Sequence, residues 1–516
     1  MSARGYAEST KRKLILVTTV LGSSLAFIDG AVVHVALADM QRSLGASVGE
    51  LQWISNSYML CLGALLLLGG AMGDRLGRRR MFVGGVALFA VASVACAAAT
   101  SPTALILARA VQGIGAAFLV PNSLAILSAA HPREERGRAI GAWSGFAAVT
   151  TAGGPVLGGW LVDALGWPSV FWINPPVAAL TIALAVFCVP ESRDTGARGN
   201  MDVMGAVLAV TGLGLISWAL IALGETGATD PLVSVAAVVG LTMLVLFVRV
   251  EARSGAPLMP LGLFRSRDFT AANLLTLLLY GALGAAIFLF PFALIRLHGY
   301  SATEAGAAFL PFPLTLFLLA RWGGGLIDRH GPRPPLVAGP LVAAVGLALI
   351  AWPTTGTPYW STFLPGVVVL GAGMAVCIPP LTTSVMNAVE DRHAGIASAV
   401  NNAASRVAGL LAVAAVGPVL MGVFFVQLEP MLAALPLNDA TRTTLLADPS
   451  ALATLNPPDL PPAIAEAVVA AARIALIDAF RVATLVLAGL AAASAAVAAV
   501  AYGPRKPRRS GITPPE

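Results

Sequence analysis

The sequence predicts an all-α membrane protein with fourteen spanning helices: two six-helix bundles with two further helices inserted between them. Three observations carry this reading. The 516 residues are 57% hydrophobic and 11% charged, with a mean hydropathy of +0.82, too few polar residues for a soluble surface. Apolar runs of about 18–25 residues recur, each long enough to cross a bilayer as helix. A charged, glycine-containing loop appears twice, at 70–80 and at 324–333.

Taken in order, the runs cover 14–36, 51–73, 82–99, 103–128, 139–162, 171–190, 203–223, 231–250, 269–295, 303–327, 335–352, 362–388, 395–425 and 475–502. Only helices satisfy the backbone in lipid with this pattern, and alternating barrel strands are absent. The first run is too long for a signal-peptide core and is expected to stay as an uncleaved span. One bundle is expected in 1–190, the inserted pair in 191–268 and the second bundle in 269–502, followed by a basic tail, 503–516. Within the second bundle, 427–474 is rich in proline and alanine and is expected to form coil or short surface helices outside the membrane.

Orientation follows from the 32 lysines and arginines. With both termini cytoplasmic, only Arg42, Arg296, Arg442 and Arg473 fall outside. Arg109, Arg321, Arg406 and Arg481 lie within spans or at their ends, and all the rest are inside. The expected location is therefore the cell (inner) membrane. The same asymmetry explains the net charge of +6, which is no sign of nucleic-acid binding. Cys61, Cys96, Cys188 and Cys377 all lie in apolar runs and read as packing residues.

Enzyme chemistry has little support. None of Lys11, Lys13 and Lys506 follows a glycine, so a phosphate-binding Gly-Lys loop is impossible. There is no His-Glu-x-x-His, and the five histidines are scattered. No cofactor or metal is expected.

The two loops, "GAMGDRLGRRR" (70–80) and "GGLIDRHGPR" (324–333), share Gly-x-x-x-Asp-Arg-x-Gly. A weaker echo links "QGIGAAFLVP" (112–121) to "LGAGMAVCIP" (370–379). A duplicated six-helix unit is a transporter architecture. The first loop closely resembles the signature loop of the major facilitator superfamily. Gly70, Asp74, Arg75, Gly77, Arg78 and Arg79 are in register, and Gly324, Asp328, Arg329 and Gly331 match in the second copy. The resemblance implies an aspartate that braces the cytoplasmic side against helix N-termini and arginines of the partner half. A basic loop with one stray aspartate is the plainer reading, and the duplication argues against it.

"LILARAVQGIGAA" (105–117) resembles the family's fourth-helix motif through Arg109, Gln112, Gly113 and Gly115. Arg109 either meets a partner inside the bundle or snorkels to the outer surface. "TTAGGPVLGGWL" (150–161) resembles the family's antiporter signature through Gly154, Pro155, Gly158 and Gly159, with Thr150 where glycine is usual. An ordinary small-residue packing face is the alternative.

"FIDGAVVHVALADM" (27–40) resembles the first-helix motif of the fourteen-helix drug:proton antiporters; Ala31, His34 and Ala38 depart from it. Asp29 is the carboxylate deepest in an apolar run, where a charge costs a few kcal/mol. It is expected either to couple protons, together with Arg109, or to line the pore without titrating. Gln112, Asn401, Asn402 and Arg406 are candidates for the substrate cavity, with helix–helix hydrogen bonding equally open for the asparagines.

The resemblance implies efflux of amphipathic drugs or toxic small molecules from the cytoplasm by alternating access, with protons moving inward as the energy source. The expected partners are such a substrate, protons and the lipid bilayer, and the chain is expected to act as a monomer. A same-fold exporter or importer of one metabolite or lipid is a second reading. A polytopic enzyme or sensor is a third, and the duplicated loop speaks against it.

Overall fold

The computed structural model describes residues 3–193, 202–226, 230–255, 257–352, 358–389, 394–447 and 461–502. Arg198, Arg392 and the tail 503–516 lie outside the described residues, as do the side chains at Arg321, Gly324 and Asp328.

In chain order the long helices are α1 (Ala3–Leu44), α2 (Val48–Leu76), α3 (Arg78–Ala97), α4 (Pro102–Ala130) and α5 (Arg133–Leu165). Next come α6 (Ser169–Trp172 continued by Asn174–Cys188), α7 (Val203–Thr226), α8 (Pro231–Arg253) and α9 (Arg267–His298). The last are α10 (Ala302–Phe309 continued by Pro311–His330), α11 (Arg333–Ile350), α12 (Tyr359–Thr362 continued by Leu364–Asn387), α13 (Ala394–Ala433) and α14 (Pro462–Ala501). Among the described residues, thirteen of these are long and apolar enough to cross a membrane. The 33 residues of α5 complete a bundle of fourteen rods.

Local chemistry sets the ends. Ser47 and Glu50 form a capping box at the start of α2, and Ser301 and Glu304 do the same for α10. That assigns Glu304 a structural task. Gly77 and Gly331, the last glycines of the two related loops, both turn at positive φ, 119° and 79°.

The internal repeat reappears in the packing. In the first half α4 packs on α2 and α3, α1 on α5 and α6, and α3 on α6. In the second half α12 packs on α10 and α11, α9 on α13 and α14, and α11 on α14. Each pairing is the other shifted by eight helices. The halves meet through α1 with α9, and through two related seams, α5 with α10 and α13 with α2. The inserted α7 and α8 pack on each other, and α7 lies along the α2–α13 seam.

The loops 45–47, 98–101 and 166–168 emerge on what is called the far face, and 77, 131–132 and 189–193 on the near face. The arginine count expects the near face to be cytoplasmic. One hydrophobic core crosses between the halves at the far side, joining Val33, Leu37, Leu51 and Leu161 to Phe288, Leu294 and Ala305. Toward the near side, Leu25, Leu66, Phe82 and Ile126 form a separate core confined to the first half. Near the same end, a cavity of about 370 Å³ opens between α2 and α13, lined by Asp74, Arg75, Asp202, Pro257 and Ile396. The halves are thus joined at the far side and parted at the near side.

One region departs from expectation. Among its described residues, the stretch 427–474 is largely regular helix: α13 runs on to Ala433 and α14 begins at Pro462, with a short helix at Asp439–Ala447 between them. Each long helix has 40 residues, about 60 Å at 1.5 Å per residue, twice what a bilayer core needs. The extensions hold because Leu428, Leu432, Val468 and Ala472 are all buried in one shared core with Leu445 of the short helix. Pro430 does not break α13.

Candidate functional site

Asp29 and Arg109 form a direct ion pair between α1 and α4, with side chains only 1% and 2% exposed respectively. An ion pair this dry needs its remaining polar atoms satisfied. Gln112, one turn beyond Arg109, does this for both partners: its Oε1 accepts from Arg109 Nη1 at 2.6 Å and its Nε2 donates to Asp29 Oδ1 at 2.9 Å. Arg109 Nε donates to the carbonyl of Ile54 on α2 at 3.2 Å. The guanidinium lies over the Tyr58 ring, 4.2 Å from its centroid, where the ring's negative face favours a cation. On the other side, Asn174 Nδ2 donates to Asp29 Oδ1 at 3.5 Å and to Ser93 Oγ at 2.9 Å. Ser93 in turn donates to the carbonyl of Phe171.

Five helices of one half therefore converge on a single carboxylate. Burial rules out snorkelling of Arg109 to a surface. Gln112, expected on the cavity wall, is instead fully buried inside this cluster. Tyr58, Ser93 and Asn174 were not anticipated. The repeat supplies no second copy: counting from the paired motifs, Val367 and Leu370 of α12 stand where Arg109 and Gln112 stand in α4, and both are core residues. His34 lies apart from the ion pair, its ring edge-on to Phe288 of α9 at 6.2 Å.

The signature loop ties one half together at the near face. Asp74 accepts from Arg78 within the loop at 2.9 Å. Glu191, after α6, accepts the backbone N–H groups of Arg79 and Arg80 at 3.0 and 3.2 Å, placing a carboxylate on the N-terminus of α3. Among the described residues, Asp74 makes no ion pair with the other half, in contrast to the expected brace between halves. The parted near side is the geometric reason. In the second copy, Gly331 makes the turn, Arg329 is exposed, and Gly324 and Asp328 lie outside the described side chains.

The brace between halves sits at the far face instead. Asp163 of α5 accepts the N–H groups of Ala302 at 3.2 Å and Thr303 at 2.8 Å, the exposed N-terminus of α10. Arg296 of α9 donates to Gln41 Oε1 of α1 at 2.6 Å. The α5 motif makes this closeness possible. A Cβ at Gly159 would lie 2.4 Å from the Ala302 carbonyl oxygen, and one at Gly306 would lie 2.1 Å from that of Pro155. Gly154 and Gly158 leave room for Ala31 and Val32 of α1.

Asn401 donates to Thr276 Oγ1 at 2.7 Å and Asn273 Oδ1 at 3.2 Å on α9, a link between helices of one half. Asn402 is exposed and donates to its own helix at Ser398. Arg406 is partly exposed, about a third of the way along α13.

The chain matches the Major Facilitator Superfamily over residues 19–413. It is 35% identical over 420 residues to the multidrug resistance protein Stp of Mycobacterium tuberculosis (strain CDC 1551 / Oshkosh), covering 81% of this chain and 78% of that protein. It is 36% identical over 436 residues to the puromycin resistance protein pur8 of Streptomyces alboniger, covering 82% and 84%. The tetracenomycin C resistance and export protein of Streptomyces glaucescens is 33% identical over 408 residues, covering 78% and 74%. Among solved structures, the nucleoside transporter NupG superposes with a TM-score of 0.62 at 11% identity, covering 95% of this chain and 100% of that one. A bacterial homologue of the human lysosomal transporter Spinster, inward-facing and occupied, gives 0.60 at 17%, covering 95% and 97%. At such identities these two establish the fold alone.

Proposed function

The chain belongs to the Major Facilitator Superfamily, a transporter and not an enzyme, and on that premise we propose that it expels drug-like amphipathic compounds from the cytoplasm in exchange for protons. The observation that carries the proton half of this reading is the buried Asp29–Arg109 pair. A carboxylate enclosed by a guanidinium and two amides has two self-consistent states. Charged, it holds Arg109. Protonated, it releases Arg109 toward Gln112 and the Ile54 carbonyl, which already accept from it. A proton then favours whichever conformation accommodates the released arginine, because a ligand shifts an equilibrium only through differential affinity.

Outward transport is supported by the resistance and export named in the relatives and by the α5 motif, where Gly159 and Gly306 let α5 and α10 close against each other. The cycle alternates between the far-closed form described above and a form in which Asp163 leaves the α10 N-terminus while Asp74 engages the other half. The chain sits in the cytoplasmic membrane with both termini inside, so the far face is external; the arginine asymmetry supports this.

The test is drug-induced proton release from proteoliposomes holding the purified protein, alongside ethidium accumulation in pump-deficient cells. Expression should lower ethidium accumulation, and a protonophore should abolish the difference. Accumulation insensitive both to expression and to the protonophore would sink the reading.

A further inference from the structure

We propose that Asp202 and Glu251 form a second proton-binding site, at the near-face mouth of the cavity between α2 and α13, where one shared proton holds the inserted helices together and fixes part of the cavity wall.

Local chemistry brings the two carboxylates together. Asp202 precedes α7 and caps it, its Oδ1 accepting the Gly205 N–H at 2.6 Å. Glu251 stands in the last turn of α8, and its Oε2 accepts the Met259 N–H at 3.0 Å. Gly205 lets these ends meet. A Cβ there would lie 2.9 Å from Asp202 Cγ and 2.9 Å from Glu251 Oε1, so at most twice that distance separates the two groups.

Burial makes this closeness consequential. Asp202 is 7% exposed and Glu251 3%. Each engages one carboxylate oxygen, while the other, Asp202 Oδ2 and Glu251 Oε1, has no hydrogen-bond partner. Two ionised carboxylates so near each other in a dry place repel, and their free oxygens have lost water without replacement. The surrounding elements do not offset this. α2 brings Asp74 and Arg75 to the cavity that Asp202 lines, while α4 and α13 bring only Pro121, Ile396 and Ala399. Arg249 and Arg253 of α8 are exposed. Among the described residues, neither Asp202 nor Glu251 forms an ion pair.

The neutralising ligand has to be small. A hard metal cation takes about six to eight oxygens, and the pair has only its two free ones to offer. A proton suits two: one carboxyl donates through it to the other, and both unpartnered oxygens are satisfied together. The same pair shapes the mouth. Asp202 lines the cavity, and Glu251 holds Met259 within a segment whose Pro257, Leu258 and Pro260 line it too. Loss of the proton restores the repulsion and loosens this wall. With the near face cytoplasmic, as proposed above, the mouth answers to cytoplasmic pH.

Thermal unfolding of the purified full chain in detergent, followed against pH, tests this. A folded state that holds the proton more tightly than the unfolded chain has its full stability below about pH 4, where free carboxyls are protonated. It loses that stability as pH rises through the pair's own pKa. Glu251→Gln keeps an oxygen for Met259 and offers Asp202 an amide donor in place of the proton. The wild-type midpoint should therefore fall with rising pH relative to Glu251→Gln, by about 2 °C or more at the alkaline end. Asp202→Asn, which keeps the cap on α7, should flatten the profile in the same way. Glu251→Ala, with neither oxygen nor donor, should be less stable than Glu251→Gln at every pH. Infrared spectra at neutral pH should show one protonated-carboxyl C=O stretch in wild type that is missing in Glu251→Gln. Parallel pH profiles, a Glu251→Gln variant as unstable as Glu251→Ala, or no band lost would each overturn the proposal. So would a wild-type midpoint raised by sodium or magnesium with no response in Glu251→Gln, which puts a metal cation in the proton's place. Neither readout requires transport.

Discussion

Asp163 at the end of α5 accepts the backbone N–H of Thr303 at the start of α10 at 2.8 Å, so a carboxylate of one half rests on a helix N-terminus of the other. The signature loop leads one to expect this kind of contact at Asp74. It is found on the opposite face because the halves are closed there. Asp163→Asn keeps the shape and removes the charge that favours the helix end. A charge-assisted hydrogen bond contributes about 1.5–3 kcal/mol, so the far-open form should gain roughly tenfold or more in population. Spin labels on the far ends of α5 and α10 would report a longer-distance population. An unchanged distance distribution would show that the latch is incidental.

Asp74 and Glu191 lie in the same near-face region and should behave oppositely. Asp74 is 39% exposed and pairs with Arg78 four residues on, an interaction worth only a few tenths of a kcal/mol. Asp74→Asn should leave the thermal midpoint unchanged while cutting transport, since its proposed partner belongs to the other conformation. Glu191→Ala strips the carboxylate from the N-terminus of α3 and should destabilise by about 1 kcal/mol. Thermal unfolding in detergent and transport at matched membrane abundance separate the two effects. Wild-type transport by Asp74→Asn would remove the loop from the conformational cycle.

How much was legible beforehand depends on how far apart the contacting residues lie. Helix number and the repeat could be read because each span is a local property of about twenty residues. Asp29 and Arg109 stood out because charge inside an apolar run demands an explanation. Asn174 and Ser93 did not, since one amide or hydroxyl in an apolar helix is ordinary and its meaning lies in a contact across 145 residues. Gln112 was noticed but misplaced: it follows Arg109 by one helical turn, and only the fold decides whether that face meets water or α1. Glu191 lay in a loop with no motif. The extensions of α13 and α14 were hidden because hydropathy marks where a chain leaves lipid, while Leu428 and Val468 keep it helical beyond that point by packing.

Those extensions give a topology prediction. Thr443 is exposed on the short helix between them. With the far face external, Thr443→Cys in a background lacking the four native cysteines should react with an impermeant maleimide added to intact cells. Protection in cells but labelling after lysis would invert the assigned orientation and, with it, the direction of transport.

Asp29 is the residue on which proton coupling stands or falls, and its ion pair makes the obvious variant ambiguous. Asp29→Asn mimics the protonated state but also strands Arg109 in a dry site, and breaking one side of a buried pair commonly costs about 3–5 kcal/mol. Loss of transport in that variant alone is therefore compatible with a merely structural pair. Asp29→Asn/Arg109→Gln removes both charges and leaves Gln112 and Asn174 to satisfy the new amides, so stability should largely return. If Asp29 carries the proton, the double variant should still let substrate equilibrate down its gradient, yet show no substrate-induced proton release and no accumulation driven by a pH gradient. A hundredfold difference in proton affinity between two conformations corresponds to about 2.7 kcal/mol, so losing the titrating group should abolish coupling rather than weaken it. Proton release of wild-type size from the refolded, stable double variant would leave Asp29 as a structural partner of Arg109 and move the coupling site elsewhere in the bundle.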